Sequence, residues 1–215
     1  LKFITDFKKL DVLAHQAVTS ALSTYQYHLP IFIDATAGNG YDTCFLAQLA
    51  GTQGIVLAFD IQQEAITNTY QRLISLHLEQ QVTLIKSGHE RLYAETLNFF
   101  QKNTHLVEFY HFNNQIDICS GVMFNLGFLP KSDKKIVTQP TTTIMALNNA
   151  LNVLAPGGII TIHCYTGHLG GVEESEAVLY WSEQLSLNKW DITIYKQIFK
   201  QKNNEQLVLI KRKQL

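Results

Sequence analysis

An α/β fold built on a seven-stranded, mostly parallel sheet is predicted by three observations. Short apolar runs alternate with amphipathic stretches along most of the chain, the pattern of strands joined by crossover helices. The first apolar run, Ile31 to Asp34, leads into a glycine-bearing turn, Ala35-Thr36-Ala37-Gly38-Asn39-Gly40, and then into a helical pattern. Last, Trp190 to Phe199 and Gln206 to Lys211 are strand-like runs with only a polar turn, Lys202 to Glu205, between them. That pair predicts an antiparallel hairpin at one sheet edge, because no helix separates the two strands.

The elements follow in order. Phe3 to Leu22 has apolar positions at Phe7, Leu10, Leu13, Ala14, Ala17, Val18 and Leu22 and predicts helical cover, with residues 1–30 preceding the sheet. The helix after the first turn runs from about Asp42 to Ala50 and stops at Gly51, where glycine suits a left-handed cap. Gly54 to Asp60 is the second strand; Ile66, Thr69, Leu73 and Leu76 place one apolar face on the next helix. Val82 to Lys86 is the third strand, followed by Ser87-Gly88-His89-Glu90 and another helix. Residues 103–115 carry no period and predict an insertion or loop extension. Ile116 to Phe124 is the fourth strand, ending in Asn125-Leu126-Gly127-Phe128-Leu129-Pro130. Ile144, Leu147, Leu151 and Leu154 mark a helix that Pro140 can open. Pro156-Gly157-Gly158 predicts a turn before a fifth strand, Ile159 to Tyr165, and Ala177, Val178, Trp181 and Leu185 mark the last helix. Seven strands closed by a hairpin is the layout of class I methyltransferases, a Rossmann-like fold.

Composition sets bounds on function. With 215 residues the chain is long enough for one domain with a full core, read as 1–215 without a linker. Hydrophobic residues are 46% and charged residues 16%, which excludes a disordered chain. A net charge of −1 gives no global case for nucleic-acid binding, although local basic clusters at Lys131, Lys134 and Lys135, at Lys196, Lys200 and Lys202, and at Lys211, Arg212 and Lys213 leave a patch open. Such clusters are as readily a solvated face. Cys44, Cys119 and Cys164 are far apart, form no C-x-x-C and read as structural, consistent with a reducing cytoplasm. No metal is expected, since no His/Cys/Asp spacing matches a ligand set. No apolar run approaches the ~20 residues of a membrane span.

The glycine turn points to a nucleotide-like cofactor, because glycine lets backbone approach the ligand and a helix N-terminus offers free amides. A dinucleotide fingerprint wants a third glycine, and Thr43 stands in that slot after Gly38 and Gly40. Asp42 at the helix entry would repel a pyrophosphate. S-adenosyl-L-methionine (SAM) carries an ammonium and a sulfonium and no phosphate, so Asp34 and Asp42 suit it better. Asp60, about twenty residues after the turn, is placed to accept hydrogen bonds from a ribose diol, each worth about 1.5–3 kcal/mol. Gly38, Asn39, Gly40, Thr43 and Gln62 join Asp34, Asp42 and Asp60 in the expected cofactor set. Ser87 and His89, on the same sheet edge, either flank the adenine or are a solvated loop pair.

The acceptor side rests on two segments. In amino-group methyltransferases the fourth strand ends in (Asn/Asp/Ser)-Pro-Pro-(Tyr/Phe), whose polar side chain accepts from the target amine. Asn125-Leu126-Gly127-Phe128 has the Asn and the aromatic in place but lacks both prolines. Tyr165-Thr166-Gly167-His168-Leu169-Gly170-Gly171-Val172-Glu173-Glu174 is the other segment. There Tyr165 or His168 would contact substrate or accept a proton, or else the segment is a glycine turn whose acids favour a helix start. His15 reads equally as a packing histidine and as a site residue. A cytosine-C5 methylase would need a cysteine where Asn125 stands.

Three stretches, Asp34-Ala-Thr-Ala-Gly-Asn-Gly-x-Asp-Thr43, Met123-Phe-Asn-Leu-Gly-Phe-Leu-Pro130 with Asp133-Lys134, and Tyr165-x-Gly-His-x-Gly-Gly-x-Glu-Glu174, together resemble the YtqB/MnmM family. The likeness runs from about Ile31 to the C-terminus. Departures are Tyr41 for a His in the glycine turn, Lys131-Ser132 for a Gly-Gly, and Thr166 for a His. The resemblance implies SAM as cofactor and the anticodon stem-loop of tRNA as substrate. The implied reaction is N-methylation of 5-aminomethyl-(2-thio)uridine at wobble position 34, with Asn125 orienting the amine. Methylation of rRNA or of a small amine, or a non-catalytic RNA-binding role for the fold, are the other readings; a homodimer stays open.

Overall fold

The computed structural model describes residues 10–23, 29–107, 117–129, 136–196 and 205–214. Helix α1 (Leu10–Ser23) precedes β1 (Ile31–Asp34), α2 (Tyr41–Ala50), β2 (Ile55–Asp60), α3 (Gln63–Ser75) and β3 (Val82–Lys86). Then come α4 (Leu92–Lys102), the single turn α5 (Thr104–Val107), β4 (Cys119–Leu126), α6 (Pro140–Val153), β5 (Leu154–Tyr165), α7 (Gly171–Glu183), β6 (Trp190–Lys196) and β7 (Glu205–Arg212). The seven strands lie in the order β3-β2-β1-β4-β5-β7-β6. Only β7 runs against its neighbours, pairing antiparallel with both β5 and β6. The predicted class I layout and its closing hairpin are therefore present. The order reverses between β1 and β4, and in open α/β sheets that switch point is where ligands bind, at the carboxyl ends of the strands.

Strands buried on both faces need apolar residues on both. Phe32, Val56, Met123, Ile159 and Leu207 face α1 and α2, joined by Leu13, Val18, Leu46 and Ala47. Ile31, Ile33, Leu57, Phe59, Val122, Phe124 and Ile160 face the other way, against Leu92 and Phe100 of α4, Leu147 and Ala150 of α6, and Val178 and Trp181 of α7. The three cysteines are buried and unbonded. Burial pushes the Cys164 thiol up to about 12 and raises Cys119 further still, so all read as packing groups.

Several boundaries differ from expectation for physical reasons. Pro156-Gly157-Gly158 is no separate turn: α6 passes directly into β5 at Leu154, and the register between β4 and β5 shifts between Cys119 and Gly121. The glycines absorb that bulge, since a Cβ on Gly158 would lie 2.8 Å from the Cys119 carbonyl and Gly157 has φ +82. Leu154 is thus strand, not helix. Strand β4 extends through Asn125 rather than ending before it. Helix α2 opens at Tyr41, with Gly40 as a left-handed N-cap; Asp42 does not cap it because its carboxylate is engaged elsewhere. Leu76 lies beyond α3 and is exposed, while Ala65, Thr69 and Leu73 make the buried face. Most of the expected 103–115 insertion, residues 1–9 and 24–28 of the expected cover, and the lysines at 131, 134, 135, 200 and 202 lie outside the described residues.

Candidate functional site

An open cleft of about 1270 Å³ sits at the carboxyl ends of β1, β2, β4 and β5. It is larger than the ~300–1,000 Å³ of a typical single-ligand pocket, so a cofactor and an acceptor group fit side by side. Gly38, Asn39, Asp42, Asp60, Gln62, Ser87, His89, Asn125, Tyr165 and His168 all line it. Sequence positions from 38 to 168 thereby meet on one sheet edge.

The glycine turn is stitched from below and from the side. Ala35 donates its amide to Met123 and Ala37 donates to Phe59, which ties the turn to β4 and β2. Thr69 Oγ1 donates to the Gly38 carbonyl at 3.1 Å, and Arg72 Nε donates to the Asn39 carbonyl at 2.8 Å. Asn68 Nδ2 donates to Asn39 Oδ1 at 3.0 Å. Position 40 requires glycine twice over: its φ is +79, and a Cβ there would lie 2.9 Å from Thr69 Cα.

Asp60 closes the turn from β2. Oδ2 accepts from the Gly38 amide at 3.0 Å and Oδ1 from the Gln62 amide at 2.8 Å. The Ile61 amide also bonds this carboxylate, and of its roughly four acceptor positions at least one is left toward a diol. Burial raises the Asp60 pKa against the pull of these amides. His89 is buried, its ring tilted 6.0 Å from Phe124, and burial lowers its pKa, keeping it neutral.

Three residues expected to touch cofactor do not line the cleft. Asp34 is fully buried beneath the turn, where Oδ2 accepts from Thr43 Oγ1 at 2.5 Å and Oδ1 from the Thr36 amide at 3.2 Å. Thr43 is buried with it, and Gly40 packs on Thr69. These residues shape the turn from behind. Burial, reinforced by the charge of Asp42, pushes the Asp34 carboxyl up to about 7.

On the acceptor side, the Asn125 amide nitrogen of the main chain donates to Thr36 Oγ1 at 2.8 Å. Its side-chain Nδ2 donates to Asp42 Oδ2, while Asp42 Oδ1 lies 2.5 Å from His15 Nε2. With Nδ2 so held, Oδ1 is the end of the amide left to accept. Tyr165 differs from one expected role. Burial and the charge of Asp11 raise its pKa, and its hydroxyl donates to Asp11 Oδ1 at 3.2 Å, so it is a held donor and not a proton acceptor. His168 Nδ1 lies 3.0 Å from the Leu169 carbonyl, which assigns the proton to Nδ1. Its Nε2 is covered and unpartnered among the described residues, and the ring meets Phe128 edge-on at 5.8 Å. Gly171 makes this possible: a Cβ there would lie 2.5 Å from the Tyr165 carbonyl and 2.9 Å from His168 Nε2.

Sequence reasoning missed Asp11, Glu205, Arg72 and the buried His163. The His163 ring stacks on Tyr165 at 4.0 Å, with Nδ1 2.8 Å from Asp11 and Nε2 3.6 Å from Glu205. Both carboxylates lie within 4 Å of the ring, but neither contact is an aligned hydrogen bond. Only the alternation of β5 hinted at the histidine. The cleft lining carries Asp11, Asp42, Asp60, Glu64, Glu90 and Glu205 against a single arginine, Arg72, which is already committed to the Asn39 carbonyl and the Tyr41 ring. Such a lining suits cationic ligands and opposes a pyrophosphate. The donor set therefore fits SAM and not a dinucleotide. No cluster of metal-ligating side chains occurs among the described residues.

Comparison with known proteins agrees with this geometry. The family model described as "Putative rRNA methylase" matches residues 56–211. A curated relative, the chloroplastic tRNA (mnm5s2U34)-methyltransferase of Arabidopsis thaliana, is 36% identical over 163 residues, 74% of this chain; the chain spans about half (54%) of that relative's length. The crystal structure of a protein described as "putative rRNA-methylase" from Clostridium thermocellum superposes with TM-score 0.79 at 35% identity, covering 96% of this chain and 99% of that one. A Streptococcus mutans protein described as "a putative methyltransferase", solved with SAH (S-adenosylhomocysteine), gives TM-score 0.74 at 28% identity, covering 96% and 99%. The cleft, the sheet order and these likenesses converge: the chain belongs to the rRNA methylase family and has the class I SAM-dependent methyltransferase fold.

Proposed function

We propose that the chain is a SAM-dependent N-methyltransferase acting on the 5-aminomethyl group of (2-thio)uridine at wobble position 34 of tRNA, giving the methylaminomethyl form. One observation carries the reading: the Asn125 amide, its nitrogen end tied to Asp42, presents an oxygen acceptor beside the glycine turn in an acid-lined cleft. Bound SAM supplies an already activated methyl group. The protein's own task is then to hold the amine and aim its lone pair once the ammonium has released its proton to water. The acids at the cleft attract the ammonium form from water. Asn125 Oδ1 accepts one N–H of the neutral amine and so orients the lone pair. Asp60 and Gln62 hold the donor's nucleoside, while Ser87 and His89 border its base. Tyr165 and His168 form the substrate wall. The name of the plant relative supports the tRNA substrate, and an anticodon stem-loop is the partner this reading requires. A cytoplasmic enzyme accords with three free cysteines, and no described helix is long and apolar enough to cross a membrane.

Nucleoside mass spectrometry of tRNA from a deletion strain tests the proposal. Accumulation of unmethylated aminomethyl-uridine, reversed by the gene, is expected; an unchanged wobble nucleoside overturns it. Methylation of rRNA is the second reading, favoured by the family's description. Tritiated SAM offered with separated RNA pools decides between them, and RNA binding with no transfer to any pool would instead support a non-catalytic role.

A further inference from the structure

We propose that His15 is a positioning residue for methyl transfer: by holding Asp42 it keeps the Asn125 amide in the orientation that Asp42 dictates, with its oxygen toward the acceptor. The inference rests on the amine-methylation reading above. An amide side chain has nearly the same shape with its oxygen and nitrogen exchanged, so packing cannot choose between the two; only its hydrogen-bond partners can. Asp42 is acceptor-only when ionised and takes Nδ2 of Asn125 on Oδ2. That alone leaves the carboxylate free to rotate about its own axis. The second oxygen is held by His15 Nε2 at 2.5 Å. The His15 ring is itself fixed, lying flat on Phe45 with centroids 3.8 Å apart and planes 4° from parallel. Asn125 is fixed at its other end by the bond from its main-chain amide to Thr36 Oγ1.

The chain of contacts therefore runs Phe45, His15, Asp42, Asn125. It begins on a helix outside the sheet and ends on the acceptor oxygen. Asp42 is 17% exposed and His15 31%, so the pair is partly shielded and its bonds are stronger than those of a surface ion pair. A role in binding SAM was the expectation for Asp42; the geometry points to a role on the acceptor side. His15 itself lines the cleft, and its assigned part is the hold it has on Asp42.

His15→Phe keeps the stacking on Phe45 and removes Nε2. Its kcat for methylation of aminomethyl-uridine tRNA is expected to fall at least tenfold, with KM for tRNA and the dissociation constant for SAH within about twofold of wild type. His15→Gln, which restores a donor, recovers a third or more of kcat. In an Asn125→Ala background His15→Phe lowers kcat no further. An unchanged kcat in His15→Phe, or the same fractional loss repeated in the Asn125→Ala background, overturns the inference. A second readout needs no turnover: the Asn125 side-chain amide resonances, identified by their loss in Asn125→Ala, shift in His15→Phe and return toward wild type in His15→Gln. Unmoved resonances also overturn it. Wild-type protein that transfers methyl to no tRNA sinks the functional reading instead, and the resonance experiment still judges the positioning role.

Discussion

Asp34 and Asp60 are both carboxylates at strand ends, yet their surroundings give them different duties. Asp60 faces the cleft, and Asp60→Ala is expected to weaken SAH binding by at least tenfold in calorimetry, because the proposed bonds to the ribose diol and the amide bonds that hold the turn are lost together. Asp34 is sealed under the turn with its carboxyl raised to about 7. Its protonated form is favoured in the folded state relative to the unfolded chain, where 3.8 applies. The folded state then binds the extra proton, so this group's contribution to stability is greatest below about pH 4 and declines as pH rises toward about 7. Thermal midpoints measured from pH 5 to 7.5 should fall more steeply for wild type than for Asp34→Asn. Asn125→Ala should keep SAH affinity and lower kcat at least tenfold, about 1.4 kcal/mol of transition-state stabilisation. Asp60 was legible in the sequence because strand, turn and acid recur at a fixed interval. The bond from His15 to Asp42 was not, since it joins residues 27 apart on different helices and leaves no periodic trace.

The strands were the most legible elements, because burial on both sheet faces demands unbroken apolar runs such as those of β1 and β2. Ends were less legible where tertiary contacts decide them. Pro156-Gly157-Gly158 looks like a turn but accommodates a bulge, and Glu174 looks like a helix-start acid but is 1% exposed. Glu174 accepts from Thr138 Oγ1 and Thr143 Oγ1, each at 2.6 Å, and so ties α7 to the start of α6 and to the segment that returns from β4. Glu174→Ala strands both hydroxyls; hydrogen bonds to a charged group predict a loss of about 3 kcal/mol. A fall in thermal midpoint of roughly 6–12 °C follows for a chain this size. Gly40→Ala should also lower the midpoint, by at least several degrees, since it meets both a positive φ and the backbone of Thr69. Differential scanning calorimetry reads both.

At the scale of the molecule, a cleft formed from segments as distant as Asp11 and Glu205 couples ligand binding to global stability. SAH at about one hundred times its dissociation constant should add about 2.7 kcal/mol and raise the midpoint by roughly 5–10 °C. The same addition to Asp60→Ala should do far less. NAD at equal concentration should leave the midpoint unmoved, given the acid lining. The order of the sheet has a further consequence, one of timing. Strand β7 follows every other described element in the chain, yet it is inserted between β5 and β6 rather than added at the rim. Helix α1, translated early, rests partly on Leu207 of that strand. During synthesis the apolar face of α1 therefore lacks part of its seat until β7 has been made. A nascent chain halted before Glu205 leaves part of the seat unfinished for the helix that carries Asp11 and His15.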